Sequence, residues 1–420
     1  MEKEACTIIA AIKKRFIKEG GQSGRLDQYM VLLFTVSIFL PFIISTLVAC
    51  GIAVVTMFHY GRRQRVFDEP YTRLLLGFLI LPFFVSAVYG NYKGMLISLL
   101  VPAILISGLY IKSIMNKQLF NRAMDLACVC SLLCFAVALG QKWFFYGENP
   151  SYRPESLCMN ANYYGMLIEF VILIAVYRMV TNPKRLWAYL AIVGVNLIGL
   201  YLCASLSALF ATCCGLFVFL LLKKKYKLAA VFFVVTALFV GANFIYPLLI
   251  PRVESIDISF GQRFSIWETA MKGIRQHPLL GQGPMSYSII CGPFGGYKTF
   301  HCHNLIFDVL LNYGVIGAGV FFFYGLQKLH LIVRRFKRGV SKNMNALVLA
   351  LLTAVLAHGM TDVTIFWIQT GLLFIMIFSS MGIGAVDTVK KPLHSLGDLL
   401  MPSVAQKRRL SAEYFERYGR

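Results

Sequence analysis

Apolar runs long enough to cross a bilayer recur along this chain from near Tyr29 to about Val386, with short polar breaks between them. A spanning helix needs about 20 consecutive apolar residues. Charged residues make up 14% of the chain and hydrophobic ones 58%, whereas charged residues reach roughly 25% in soluble domains. The pattern therefore predicts an all-α polytopic membrane protein. The first run follows a basic, polar segment of the tail. It is too long, and too soon followed by others, for a cleaved signal peptide.

Candidate helices lie near 29–41, 43–58, 72–90, 93–111, 121–144, 161–180, 186–202, 204–222, 227–247, 305–328, 343–361 and 363–386. That is about 12 transmembrane helices. The first two are divided at Pro41. Basic residues on both sides of the pair (Lys13, Lys14 and Arg15 before it, Arg62, Arg63 and Arg65 after it) require two crossings if both flanks are cytoplasmic. On this arrangement 33 of the 41 Lys and Arg residues face one side. The other side holds Lys93, Lys142, Arg153, Arg252, Arg263, Lys272, Arg275 and Lys298. The basic side is the cytoplasmic one by the positive-inside rule.

The expected organisation follows. Residues 1–28 form a cytoplasmic basic N-tail, 29–247 hold helices one to nine, and 248–304 make a large extracytoplasmic loop. Residues 305–386 hold the last three helices, and 387–420 form a basic cytoplasmic C-tail with the character of an amphipathic helix on anionic lipid. The net charge of +22 comes from clusters between apolar runs, so the partner of those charges is the lipid bilayer and no nucleic acid is expected. Most of the eleven cysteines sit inside apolar runs, where they behave as small hydrophobes. Cys291 and Cys302 both fall on the extracytoplasmic side, either paired or free.

Chemistry concentrates in the 248–304 loop. Ile266, Trp267, Ala270, Met271 and Ile274 have helical spacing, which predicts a short amphipathic helix over Phe264–Gln276 that packs as a lid at the membrane interface. Pro278 and the following glycines end it. His301-Cys302-His303-Asn304 then stands directly before the next span. The His-x-His pair has a metal-ligand look, but spacing places no third ligand.

His303-Asn304, nine residues, Gly314, two residues and Gly317 resemble the H-N-x9-G-x-x-G pattern of the O-antigen ligase and polymerase superfamily. Gly261-Gln262-Arg263-Phe264-Ser265-Ile266-Trp267 and His277-Pro278-Leu279-Leu280-Gly281-Gln282-Gly283 also look like that family's large-loop signature. The resemblance is best over about 250–330. It implies a GT-C-like glycosyltransferase that joins an undecaprenyl-diphosphate-linked glycan to a hydroxyl of an acceptor glycan or lipid-linked sugar. It also implies a bacterial inner or plasma membrane location, with a loop arginine, here Arg263, on the diphosphate and the motif histidine, here His303, near the acceptor. Both roles suit the residue types: a guanidinium holds two phosphate oxygens at once, and imidazole accepts a proton near neutral pH. Neither a cofactor nor a metal is expected. No P-loop is present.

Weaker candidates complete the set. Arg153 lies in the 145–160 loop as either an interfacial anchor or a second diphosphate contact, and Arg275 as either a solvated lid cation or a further contact. Asn304, His358 and Asp362 are supporting candidates. His358 and Asp362, four apart, are expected on one face at the outer end of the eleventh helix. One departure from the family pattern is Leu206, which stands where relatives often carry arginine before a Ser-Ala pair, here Ser207-Ala208. The competing function is transport or flipping of a lipid-linked oligosaccharide, and a third is a non-catalytic scaffold. Transporters keep polar sites near the bilayer midplane, whereas here the polar density lies in a loop.

Overall fold

A computed structural model describes residues 24–67, 72–246 and 256–382. The N-tail before residue 24, Arg252 and the C-tail lie outside the described residues. All regular structure among the described residues is helical, in sixteen α-helices and three short 3-10 turns. They are α1 (Arg25–Ile38), α2 (Phe42–Phe58), α3 (Tyr60–Phe67), α4 (Thr72–Phe78), α5 (Leu81–Val88), α6 (Tyr92–Ile114), α7 (Lys117–Phe145) and α8 (Ala161–Thr181). These are followed by α9 (Leu186–Cys203), α10 (Leu206–Leu222), α11 (Tyr226–Ile245), α12 (Ile256–Gln276), α13 (Tyr287–Ile290), α14 (Leu305–Lys337), α15 (Lys342–Gly359) and α16 (Ile368–Ser379).

Among the described residues five helices are long and apolar enough to cross a membrane: α6, α7, α8, α9 with its preceding turn, and α14. A sixth is possible if α2 and α3, bent by 102° at the break between them, count as one span. The remaining apolar segments are helical but short. The third expected span is one example: 72–90 divides at Leu79–Ile80 into α4 and α5, with Pro82 in the first turn of the second. The last span is likewise interrupted, by a 3-10 turn at Thr364–Phe366 ahead of α16.

The bundle is organised around α8, nearly every residue of which from Tyr164 to Ala175 is buried. Helices α7, α9, α10 and α15 surround it. In a bilayer, lipid tails are as apolar as leucine, so helices associate through close packing rather than through release of water. Small residues provide it here. A Cβ on Gly215 of α10 would lie 3.0 Å from Leu173 Cδ1 of α8 and 3.1 Å from the Ala354 Cβ of α15. By contrast α11 turns Val231, Phe233, Val234, Val235 and Leu238 outward and is apolar all round, as a lipid-facing helix should be.

One end of the bundle carries structural ion pairs. Arg178 grips Asp125 with Nε to Oδ1 at 2.6 Å and Nη2 to Oδ2 at 3.0 Å, and Tyr189 adds a hydrogen bond to the same carboxylate. Arg62 bonds Asp27 at 2.9 Å. The other end carries the 145–160 segment, the 256–304 segment and the turn after α15, which meet one another. These segments therefore share an end of the bundle.

Candidate functional site

The lid helix is longer than expected. It begins at Ile256, eight residues before the expected start at Phe264, and ends at Gln276 as anticipated. Its apolar stripe (Ile266, Ala270, Ile274) joins Tyr287, Ile290, Cys291, Cys302 and Leu311 in a small core of its own beside α14. Cys291 and Cys302 are both buried free thiols there.

The 277–283 segment of the loop binds the stretch of α14 around Gly314. Helix α14 breaks at Gly314, whose backbone has φ 64 and ψ −171. The loop after the lid enters that break: Val315 and Ile316 donate to the carbonyls of Pro278 and Leu279, while Gln282 and Gly283 donate to those of Leu311 and Asn312. Four backbone groups beside the break thus acquire partners from that loop. Gly314 is required twice over, since its φ is left-handed and a Cβ would lie 2.2 Å from the Leu279 oxygen. Asn91 holds the same loop from the other side, donating to Pro284 O at 2.7 Å, and Tyr89 meets His277 Nδ1 at 2.9 Å.

Helix α14 starts at Leu305, directly after Asn304 and His303. Asn304 is the N-cap, its Oδ1 accepting from Ile306 and Phe307, while its Nδ2 donates to Met360 O at 3.0 Å. His303, one residue earlier, has φ +47, a left-handed backbone that a non-glycine residue adopts at a cost. Its Nδ1 lies 3.2 Å from Asp362 Oδ1, and its Nε2 lies 3.3 Å from Thr299 Oγ1. Nδ1 is buried and, despite that short distance, makes no well-aligned hydrogen bond. His301 packs edge-on against His303 with ring centroids 4.2 Å apart, and its Nδ1 is 3.8 Å from the same Asp362 oxygen.

Asp362 is the hub. Its Oδ2 accepts from Asn162 Nδ2 at 2.7 Å, and Asn162 Oδ1 accepts from Arg153 Nη2, also at 2.7 Å. Arg153 Nε donates to Cys203 O at 2.8 Å. Arg263 reaches the neighbouring residue, with Nε donating to Thr361 O at 2.9 Å, and Ser207 meets Thr361 through their hydroxyls at 2.7 Å. Burial works against charge on Asp362, yet His303, and the nearby His301 and His358, hold its carboxyl well below the usual carboxylate range. Burial pushes His301 down to about 4, against the pull of Asp362.

Arg153, Arg263, His303 and Asp362 thus come from four separate stretches of chain and converge on one polar cluster. Arg275 does not join it; it is exposed at the far end of the lid helix. His358 does not share a helical face with Asp362, because α15 ends at Gly359 and Asp362 lies in the turn beyond. His358 instead is fully buried, with Nδ1 2.8 Å from Glu169 Oε2 of α8. Asn162, Thr361 and Ser207 were not singled out from sequence as site residues. The Asn-containing start of α8 was the available signal for Asn162. Leu206 is the first residue of α10, directly before Ser207, so an apolar side chain stands at the margin of the cluster.

Residues 188–322 match the family model described as O-antigen ligase. The match supports the O-antigen ligase and polymerase superfamily and a membrane role in surface-polysaccharide assembly. It contains Arg263 and His303, while Arg153, Asn162 and Asp362 come to the cluster from outside the matched segment. A comparison with curated proteins finds no match.

Proposed function

We propose that this chain is a glycosyltransferase of the bacterial inner or plasma membrane that moves a glycan from undecaprenyl diphosphate to an acceptor hydroxyl on the extracytoplasmic face. The observation that carries the reading is the convergence of two arginines, a histidine and a buried carboxylate at one end of an apolar bundle. In this reading about 12 helices cross the membrane and both termini are cytoplasmic. The 248–304 loop carries the catalytic chemistry between the spans of 29–247 and 305–386, with the basic tails on the other side.

In the transfer, the bond between the anomeric carbon and the diphosphate oxygen breaks as a bond to the acceptor oxygen forms. Negative charge grows on the leaving diphosphate. Arg263 and Arg153 are the cations placed to meet it, each with one guanidinium edge anchored on backbone carbonyl, and an arginine carries five N–H donors in a rigid fork. The acceptor hydroxyl must lose its proton, and His303 takes it. Asp362 orients the imidazole and stabilises the imidazolium that results, and Asn162 and Val363 N–H in turn fix the carboxylate. Leu206 contributes no charge to this set, so the two arginines carry the diphosphate between them.

The direct test uses the purified full chain in nanodiscs with a polyprenyl-diphosphate glycan donor and candidate acceptors. Formation of a glycosidic product, lowered at least tenfold by Arg263→Ala, supports the proposal. Movement of the donor across vesicle membranes with no new glycosidic bond contradicts it and supports the transport reading. Product chain length separates a polymerase from a ligase.

A further inference from the structure

We propose that Glu169 and His358 are positioning residues for the transfer, a buried tether between α8 and α15 that sets where the Asp362 carboxylate stands against His303. The inference rests on the transfer reading and adds to it two fully buried side chains that the chemistry itself does not use. His358 Nδ1 lies 2.8 Å from Glu169 Oε2 inside the bundle. His358 stands in the last turn of α15, where carbonyls have no partner within the helix. Its own carbonyl is taken by the turn that follows: Thr361 N–H donates to it at 3.1 Å, Asp362 N–H at 3.0 Å and Thr361 Oγ1 at 3.3 Å. The same turn carries the polar contacts of the site. Met360 O accepts from Asn304, Thr361 O accepts from Arg263, and the Asp362 carboxylate faces His303 and Asn162. A displacement of His358 therefore passes to all of them through a few bonds of backbone.

Helix α8 grips this end of α15 at two points. Asn162, in the first turn of α8, holds Asp362 Oδ2, and Glu169 holds the His358 side chain. The two grips are seven residues apart on α8, which is close to two helical turns. Both therefore lie on one face, about 10 Å apart along the axis. A single contact would leave the end of α15 free to pivot about it. Two contacts fix its rotation as well as its distance. The chemistry needs that precision, because misplacing a reacting group by about 1 Å can slow a reaction about a hundredfold.

Stability alone is a poor account of the pair. Glu169 Oε1 and His358 Nε2 have no hydrogen-bond partner within the protein, and a buried ion pair left partly unpartnered is a weak source of stability. Apolar residues of similar volume fill such a space about as favourably. What they do not supply is a directional bond of fixed length. Apolar surfaces packed together tolerate small slides and rotations, whereas a hydrogen bond weakens steeply once its angle is lost. The pair thus contributes geometry where leucines would contribute only bulk, and the geometry it fixes is that of the turn bearing Asp362.

The test measures transfer kinetics of the full chain in nanodiscs, with a polyprenyl-diphosphate glycan donor and candidate acceptors. Four proteins form a cycle: wild type, Asp362→Asn, the double variant Glu169→Leu with His358→Leu, and the triple variant that combines them. The double variant is expected to keep a thermal midpoint near that of wild type while its kcat falls about tenfold or more. Adding Asp362→Asn to it is expected to lower kcat by less than about threefold further, against about tenfold or more in the wild-type background, because the pair acts through that carboxylate. A folded double variant with wild-type kcat overturns the proposal, and so do losses that multiply in full. If the double variant does not fold, the cycle is run with Glu169→Gln, whose neutral amide oxygen accepts more weakly than a carboxylate. A loss of about threefold or more that vanishes in the Asp362→Asn background then supports the proposal, and an unchanged kcat overturns it. Wild type that forms no glycosidic product removes the transfer reading and this role with it. Wild type that transfers, beside an equally active double variant, removes this role alone.

Discussion

Asn162 donates from Nδ2 to Asp362 Oδ2 at 2.7 Å, joining the first turn of α8 to the turn after α15 across two hundred residues of sequence. Its other amide atom accepts from Arg153, so one side chain aligns a carboxylate and a guanidinium. Removing it leaves the buried Asp362 oxygen short of a donor, at a cost of about 1–3 kcal/mol. Asn162→Ala is expected to lower glycan transfer at least tenfold at unchanged membrane level. Product formed per unit of immunoblotted enzyme checks this.

Gly314 predicts a different failure. Alanine there combines an unfavourable left-handed backbone with a Cβ 2.2 Å from the Leu279 oxygen. The loop at 278–283 must leave the break in α14, and the four backbone hydrogen bonds it makes there go with it. Gly314→Ala is expected to destabilise the chain by about 2 kcal/mol or more and to open residues 276–304 to protease. Limited proteolysis of membrane vesicles, with cut sites mapped, reads both effects.

The Glu169–His358 pair is fully buried, and Glu169 Oε1 and His358 Nε2 have no hydrogen-bond partner. Breaking such a pair from one side costs about 3–5 kcal/mol, while replacing both partners by apolar residues of similar volume is often neutral. His358→Leu alone should therefore lower the thermal midpoint in detergent clearly. The double variant Glu169→Leu with His358→Leu should recover most of that loss. A double variant no better than the single one would contradict the pairing.

Cys302 is buried in the lid core, and burial pushes its thiol well above the ordinary range, with Asp308 adding to the effect. Thiolate is the reactive form. Cys291 and Cys302 are expected to resist iodoacetamide in the folded chain and to label after denaturation without reductant. Labelling that appears only after reduction would show a disulfide instead.

The helical character was legible because apolar runs of spanning length leave few alternatives. Helix continuity was less legible. A run such as 72–90 reads as one span, yet it divides between α4 and α5, since apolarity does not record where the backbone turns. At the site, Arg263 and His303 were readable because each sits in a dense local motif. Asp362 was readable as a residue but not in its geometry, because helical spacing paired it with His358 and α15 stops before reaching it. Asn162 and the carbonyl of Thr361 gain meaning only through contacts spanning about a hundred residues or more, which no local pattern contains. Gly314 illustrates the same limit. Its motif position was evident, but its purpose, admitting the Pro278–Leu279 backbone into a broken helix, is a tertiary fact.

The most direct measurement of the central claim is the surface-polysaccharide profile of a strain lacking this protein, complemented with wild type or with His303→Ala at equal membrane level. The account predicts that wild type restores long or attached chains and that His303→Ala does not. Full restoration by His303→Ala would contradict it, leaving His303 a structural residue at the start of α14.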